Sequence, residues 1–144
     1  MNLKEYEVFH RNEKCNIFAD TFKRSVLLGY DSADFVKKVM TSDKLVTMTY
    51  EDERFEWCDE CFLLNWMNNE EPFIINHNTE DKDAMWYLGW VYKYWMRVYN
   101  IKPREIYKIM PYEYFMKNFG FYHTQGEEYI IHDAINRYNR KNVN

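Results

Sequence analysis

Two cysteines are the first side chains in this sequence whose type and spacing could do chemistry. Cys58 and Cys61 are separated by two residues, a spacing at which two thiolates can share a zinc ion or cycle as a dithiol. The sequence holds no second Cys-x-x-Cys and no His pair at zinc-finger spacing, and the surrounding residues predict a helix where such a site needs a turn. We therefore interpret these thiols, together with Cys15, as reduced side chains, and we expect neither a metal nor another cofactor.

His123 is the second candidate, because it precedes a predicted helix, where an imidazole can act as a general base or orient a ligand. More often, such a histidine satisfies a backbone carbonyl or a tyrosine hydroxyl. One hypothesis is therefore a small-molecule-binding module or enzyme with a pocket around the helix predicted at residues 81 to 99. It requires an accessible His123 in one concave pocket, formed by Tyr92, Arg97, Tyr107, Tyr122 and His123.

The common short motifs of enzymes are absent from the sequence. It contains no Gly-rich phosphate loop, no Gly-x-Ser-x-Gly, no His-Glu-x-x-His and no EF-hand loop. Nor does any arginine precede a histidine at the short spacing typical of the small helical HEPN ribonucleases. We therefore expect that the chain is not an enzyme.

Charge is distributed unevenly along the chain. Residues 51 to 83 contain eleven acidic side chains against two basic ones, although the net charge of the whole chain is only −4. This balance disfavours direct nucleic-acid binding, because phosphate binding needs clustered Lys and Arg. Carboxylates on a helix are often plain solvated surface, but such an excess also favours steering of a basic protein partner. We expect Glu56, Asp59 and Glu60 to be the steering charges on one helical surface.

These side chains must be positioned by helices, because apolar residues recur at three- and four-residue spacing along most of the chain. Residues 81 to 99 are apolar on nearly all sides apart from Lys93 and Arg97, which predicts a buried central helix. The other predicted elements are one helix or two broken near Asn12 over residues 3 to 28, ended by Gly29; a helix capped by Asp31 or Ser32; helix or loop over residues 45 to 50; an amphipathic helix over residues 51 to 68 with Phe55, Cys58, Phe62 and Trp66 on its apolar stripe; a loop over residues 69 to 80; short helices after Pro103 and Pro111, the second ended by Gly120; and a final helix over residues 127 to 139.

The predicted fold is an all-α, compact single-domain bundle of five to seven helices that spans residues 1 to 144. Few Gly and Pro and many aromatic residues argue against a disordered or loop-rich chain. No apolar run is long enough for a membrane span, and the first residues lack the pattern of a signal peptide. We expect a cytoplasmic protein without a membrane partner.

Part of the sequence resembles a known group of proteins. The likeness covers roughly residues 84 to 135 and lies in residues 88 to 95 (Leu-Gly-Trp-Val-Tyr-Lys-Tyr-Trp), residues 105 to 109 (Glu-Ile-Tyr-Lys-Ile), Met116, and residues 120 to 124 with His123. These residues resemble a family of small bacterial all-α proteins of the antitoxin or immunity type, encoded beside ADP-ribosyltransferase-like toxins or in mobile elements. Met96, where the family has a histidine, and residues 101 to 103, where it has a Gly-Glu-Ser type of turn, depart from the pattern. The resemblance implies a role in neutralising another protein.

The sequence thus favours a protein-binding inhibitor or regulator, antitoxin-like and of bacterial or phage origin. It would neutralise a basic partner, such as a toxin or a nuclease, through an acidic and aromatic-rich surface. Two alternatives stay open: the pocket-bearing module at His123, and a regulatory homodimer that hides a tryptophan-rich face. A concave pocket with an accessible His123 would favour the first, and a concentration-dependent oligomer would favour the second.

Overall fold

A computed structural model describes residues 1–143, and its regular elements are helices. Within these residues no strand forms, and one isolated β-bridge joins Tyr30 and Ile75. The predicted all-α class is confirmed, although the eight α-helices of residues 1–143 exceed the five to seven expected. No helix in this range has the length and apolarity that a membrane crossing requires. The helices are α1 (Leu3–Leu27), α2 (Ser32–Thr41), α3 (Asp43–Val46), α4 (Glu60–Glu70), α5 (Lys82–Tyr99), α6 (Pro103–Ile109), α7 (Tyr112–Tyr122) and α8 (Glu127–Lys141).

Helix α1 begins and ends at residues whose chemistry favours helix termini. The Asn2 side chain accepts a hydrogen bond from the backbone N–H of Glu5, and the Glu5 carboxylate accepts one from the backbone N–H of Asn2. Gly29 follows the helix with a φ of 78°, a left-handed conformation that favours glycine. The helix is continuous, so the alternative of a break near Asn12 is wrong.

Asp81 caps the start of helix α5, and its carboxylate accepts hydrogen bonds from two backbone N–H groups of the first turn. Asn100 follows the helix in the left-handed conformation. Residues 91 to 96 are all buried, and the helix packs against α1, α6, α7 and α8. Its most extensive neighbour is α1. The two backbones approach closely at Gly89, which faces Ala19 of α1 and leaves no room for a side chain.

The single helix predicted over residues 51 to 68 is wrong. The chain forms a π-helical turn at Thr47–Glu51 and a 3₁₀ turn at Glu53–Trp57, and α4 starts only at Glu60. The carboxylates of Asp52 and Asp59 accept hydrogen bonds from backbone N–H groups two and three residues further on. Each aspartate therefore caps a new element and ends the helix that the periodicity predicts.

The predicted loop between α4 and α5 occupies residues 71 to 81 and is ordered by its own chain. The backbone N–H groups of Asn76 and His77 both donate to the carbonyl of Gly29. The side-chain amides of Asn76 and Asn78 donate to the carboxylate of Asp31, which also caps α2. These bonds fix the loop on the turn between α1 and α2.

The C-terminal helices differ from the prediction at the end of α7. Pro103 is the first residue of α6 and Pro111 directly precedes α7, as expected. Helix α7, however, continues through Gly120 to Tyr122, so Gly120 does not end it. His123 therefore caps the end of α7, and it also precedes α8, which begins at Glu127 as predicted.

Candidate functional site

Glu56 lies in the interior, so its predicted position on an outer helical face is wrong. It is 5% exposed and belongs to the 3₁₀ turn that precedes α4. An isolated buried carboxylate is costly, and burial is tolerated here because cationic side chains of α1 and α5 reach it. Asp59 and Glu60 remain nearer the surface, where Asp59 is exposed and Glu60 is half-buried.

Three cations from two helices pair with Glu56. Lys14 Nζ of α1 lies 2.8 Å from Oε2, and Arg97 Nη1 of α5 lies 3.0 Å from Oε1. Lys93 is one turn before Arg97, with its Nζ 3.5 Å from Oε1, and its ammonium also donates to the carbonyl of Thr49. We call Glu56, Lys14, Lys93 and Arg97 the Glu56 cluster. It joins α1, α5 and the 3₁₀ turn.

Burial and charge act against each other in the Glu56 cluster. Burial alone would raise the pKa of Glu56, but the positive charges of Lys93 and its two neighbours outweigh burial and hold that pKa below its ordinary value. Burial lowers the pKa of Lys93 to about 8, and the charge of Glu56 opposes this only in part. Burial also raises the pKa of the nearby Cys15 thiol to about 12, so this thiol is uncharged at neutral pH.

An open groove lies beside the Glu56 cluster, and we call it the α1 groove. The His10 ring stands edge-on to Tyr6 and to Trp57, with ring centroids 4.0 and 5.2 Å away. Trp57 is 56% exposed, and Lys14 Nζ lies 5.0 Å from the centre of its ring. The groove lining combines three aromatic rings, three cations and one carboxylate: Tyr6, His10, Trp57, Arg11, Lys14, Arg97 and Glu7.

Helix α4 exposes a pair of aromatic rings. Phe62 and Trp66 are one turn apart, are 49% and 42% exposed, and have ring centroids 5.5 Å apart. The same helical stripe begins at Asp59 and ends at Glu70, so a carboxylate lies at each end of the pair. We call Asp59, Glu60, Phe62, Trp66 and Glu70 the α4 surface.

The predicted inward position of Phe62 and Trp66 is therefore wrong. The sequence pattern assigns Phe62 and Trp66 to the apolar stripe of a helix that starts at residue 51. In the structure α4 starts at Glu60, and a different face of it is directed to the core. The buried face of α4 is formed by Leu63, Leu64 and Met67.

Several acids of the 51 to 83 segment have partners within the chain. Glu71 accepts a hydrogen bond from the Ser42 hydroxyl, and Glu80 accepts one from the Tyr112 hydroxyl. Asp52 pairs with Arg54, and Asp81 caps α5. Within residues 1–143 the carboxylates of Glu60 and Glu70 form no ion pair, which leaves their charge for other molecules.

Of the five side chains predicted to form a pocket, three lie on α5 and α6. Tyr92 is fully buried and donates to the carbonyl of Met110 at 2.6 Å. Tyr107 is half-buried. Burial raises the pKa of Tyr92 well above its ordinary value, and the nearby Tyr107 adds a smaller effect in the same direction. Arg97, however, is directed to Glu56 and lines the α1 groove.

The other two lie at the end of α7. The Tyr122 hydroxyl is buried, donates to the Asp133 carboxylate at 2.6 Å and shares a hydrogen bond with the Tyr114 hydroxyl at 2.7 Å. Burial and then these bonds raise the pKa of Tyr122 well above its ordinary value. His123 is exposed, but its Nδ1 lies 2.9 Å from the carbonyl of Phe119 in its own helix. The polar groups of four of the five side chains thus have four different partners, and of the five only Arg97 lines the α1 groove.

The cysteines do not converge on a common site. Cys15 is buried in α1, and Cys61 is half-buried in the first turn of α4. The Cys58 thiol donates to the carbonyl of Phe55 at 3.0 Å, and burial raises its pKa. Within residues 1–143, no group of three or more His, Cys, Asp or Glu side chains is placed to hold a metal ion.

Lys14 and Lys93 are not among the site residues predicted from the sequence. A signal was present in Lys93, because a lysine on a buried helix face requires a counter-charge. The sequence does not identify that counter-charge, since Glu56 lies 37 positions before Lys93.

The comparisons with known proteins add no relative. No protein-family model matches the chain, and neither a curated protein nor a solved structure matches it. Its function is therefore inferred from the Glu56 cluster, the α1 groove and the α4 surface.

Proposed function

We propose that the chain is a protein-binding inhibitor or regulator of the antitoxin or immunity type, which recognises a basic partner protein through the α4 surface. The observation that carries this proposal is an exposed aromatic pair flanked by carboxylates on one helix. Phe62 and Trp66 leave nearly half of their surface in water, although folding normally buries most of such rings. Exposed aromatic side chains of this kind are typical anchors of protein interfaces.

The charges around the aromatic pair favour a basic partner. Asp59 and Glu70 flank the two rings, and Glu60 lies beside them. Carboxylates at the rim of an interface raise the association rate with a basic surface and select against acidic ones. The carboxylate of Asp59 also accepts a hydrogen bond from the backbone N–H of Phe62 at 2.8 Å, which fixes the first turn of α4. Anchors and charges are thus held on one regular element.

A shallow groove beside Trp66 extends the α4 surface. It runs from α4 towards α3 and the π-helical turn, and its lining includes Met48, Phe55 and Glu70. The Phe55 ring packs against Trp66 with centroids 5.3 Å apart. A concave strip next to two aromatic anchors offers room for an apolar side chain of the partner.

The test is capture of the partner from the native cell lysate by the tagged chain and by two variants of the α4 surface. One variant combines Phe62→Ala with Trp66→Ala and removes the anchors, and the other combines Glu60→Lys with Glu70→Lys and reverses the charges. We expect the wild type to retain one stoichiometric basic protein that is released at high salt. The anchor variant should lose it, and the charge-reversal variant should capture less of it.

Phe121→Ala combined with Tyr129→Ala is the matched control. These rings are 47% and 46% exposed with centroids 5.7 Å apart, but they belong to α7 and α8. The control should retain the partner, and retention by both α4 variants would contradict the proposal.

With purified partner, charge reversal should slow association by about tenfold and leave dissociation nearly unchanged. An unchanged association rate would exclude the steering role.

A further inference from the structure

The surroundings of the Glu56 cluster hold more positive than negative charge. All three cations of the cluster pair with one carboxylate, and within residues 1–143 no other carboxylate forms an ion pair with any of them. Arg11 lines the adjoining α1 groove, where Glu7 is the one acid among the lining residues. Arg11 also interacts with the Glu128 carboxylate, so four cations stand against three carboxylates, an excess of one positive charge.

This excess is directed towards the groove. The side chains of Lys14 and Arg97 are 11% and 36% exposed, whereas that of Lys93 is 4% exposed. Lys14 and Arg97 therefore extend from the buried cluster to the groove floor. Low-dielectric walls around a set of like charges strengthen their field in the groove.

The walls of the α1 groove are aromatic. Trp57 and Tyr6 are 56% and 53% exposed, and the His10 ring stands edge-on to both. The Lys14 ammonium lies over the Trp57 ring, and the exposed remainder of the indole is accessible to a planar ligand. Stacking on aromatic side chains is a general and sequence-tolerant way in which proteins bind nucleic-acid bases.

We infer that the α1 groove binds a mononucleotide, with the phosphate at Arg97 and Lys14 and the base against Trp57. Guanidinium and ammonium groups are the side chains that bind phosphate, and the net positive charge beside the groove favours an anionic ligand. Inorganic phosphate or a nucleoside alone would occupy only one half of this arrangement. The site shares no residue with the α4 surface, so it stands independently of the proposed partner.

The test is isothermal titration of the full chain with AMP, inorganic phosphate and adenosine. We expect AMP to bind at one site with a Kd below about 1 mM and at least about tenfold more tightly than either of its halves. Arg97→Met should weaken AMP binding about tenfold or more, because a charge-assisted hydrogen bond is lost. Trp57→Leu should remove most of the advantage of AMP over inorganic phosphate.

Arg137→Met is the matched control, since Arg137 is a partly exposed arginine of α8 that pairs with Asp133 at 3.1 Å. Its AMP affinity should equal that of the wild type. Circular dichroism shows whether each variant folds, and Lys14→Met replaces Arg97→Met if the latter does not. No saturable AMP binding by the wild type, or equal affinity in the folded groove variants and the control, would overturn the inference.

Discussion

Replacing Glu56 with glutamine keeps the shape of the side chain and removes the negative charge of the Glu56 cluster. Lys93 is 3% exposed, and its pKa of about 8 leaves it mostly protonated at pH 7. The substitution therefore leaves a buried ammonium without its counter-charge. Removing one partner of a buried ion pair typically costs about 3 to 5 kcal/mol.

The part of this cost that comes from Lys93 has an upper limit. Once Glu56 is replaced, Lys93 can lose its proton, and an uncharged amine needs no counter-charge. In the folded protein the pKa of Lys93 is about 8, so removing its proton costs about 1.4 kcal/mol at pH 7 and almost nothing at pH 9, where Lys93 is already mostly uncharged. Lys14 and Arg97 reach water and add less. We expect Glu56→Gln to lower the free energy of unfolding by about 2 to 3 kcal/mol at pH 7, and by about 1 kcal/mol less at pH 9.

The sign of the pH dependence follows from Lys93. Its folded pKa of about 8 lies below the ordinary 10.5, so between these values the unfolded chain binds more protons than the folded chain. In that window this group adds stability as the pH rises. Without Glu56 the folded pKa falls further, and the window extends to lower pH. The loss caused by Glu56→Gln must therefore shrink between pH 7 and pH 9.

Urea unfolding followed by tryptophan fluorescence at both pH values measures this loss, with an unchanged denaturant slope as the check for two-state behaviour. Asp43→Asn is the control, because it breaks the exposed pair with Arg104 and should cost less than about 1 kcal/mol. A loss below about 1 kcal/mol for Glu56→Gln at pH 7, or an equal loss at both pH values, would refute the reasoning.

Three further predictions concern packing and backbone geometry, all measured by urea unfolding. Gly89→Ala should destabilise the protein by about 1 to 3 kcal/mol, because the new Cβ would lie 2.8 Å from an aromatic carbon of α1. Gly120→Ala on α7, where the new Cβ would meet open space, should stabilise the protein by up to about 1 kcal/mol. Equal effects of the two substitutions would contradict the close approach of α1 and α5. Gly29→Ala should cost about 1 to 3 kcal/mol, because its φ is 78° and the new Cβ would collide with the His77 ring, and wild-type stability would contradict this turn. Tyr122→Phe should cost about 1 to 3 kcal/mol, because a carboxylate loses its buried hydroxyl donor, and a change below about 0.5 kcal/mol would contradict that hydrogen bond.

The ends of α1 and α5 were predictable because their capping residues act locally and adjoin a clear helical pattern. The carboxylate of Asp81 bonds to N–H groups two and three positions ahead, and Gly29 acts through its own φ. Helix α5 accordingly occupies Lys82–Tyr99, within one residue of the predicted start. The all-α class was predictable for the same reason, because the helical period of apolar residues is a local property.

The position of Glu56 was not predictable, because it depends on contacts between distant segments. Periodicity placed it on the polar side of a long helix, and two aspartates that are compatible with a helical pattern instead interrupt that helix. Lys93 indicated that a carboxylate must be buried beside it, but the chain has 23 acidic residues that could supply one. The same interruption rotated α4, which moved Phe62 and Trp66 from the expected core to the surface.

The loop between α4 and α5 also determines how the protein carries mechanical load. The backbone N–H of Asp31 donates to the carbonyl of Ile74, and that of Ser32 donates to the carbonyl of Asn78. These bonds close the chain segment between them, which contains α2, α3 and α4, at its base. A force applied to α4 is therefore transmitted through both ends of this closed segment to the junction of α1 and α2. Both ends must give way before α4 can separate from the bundle.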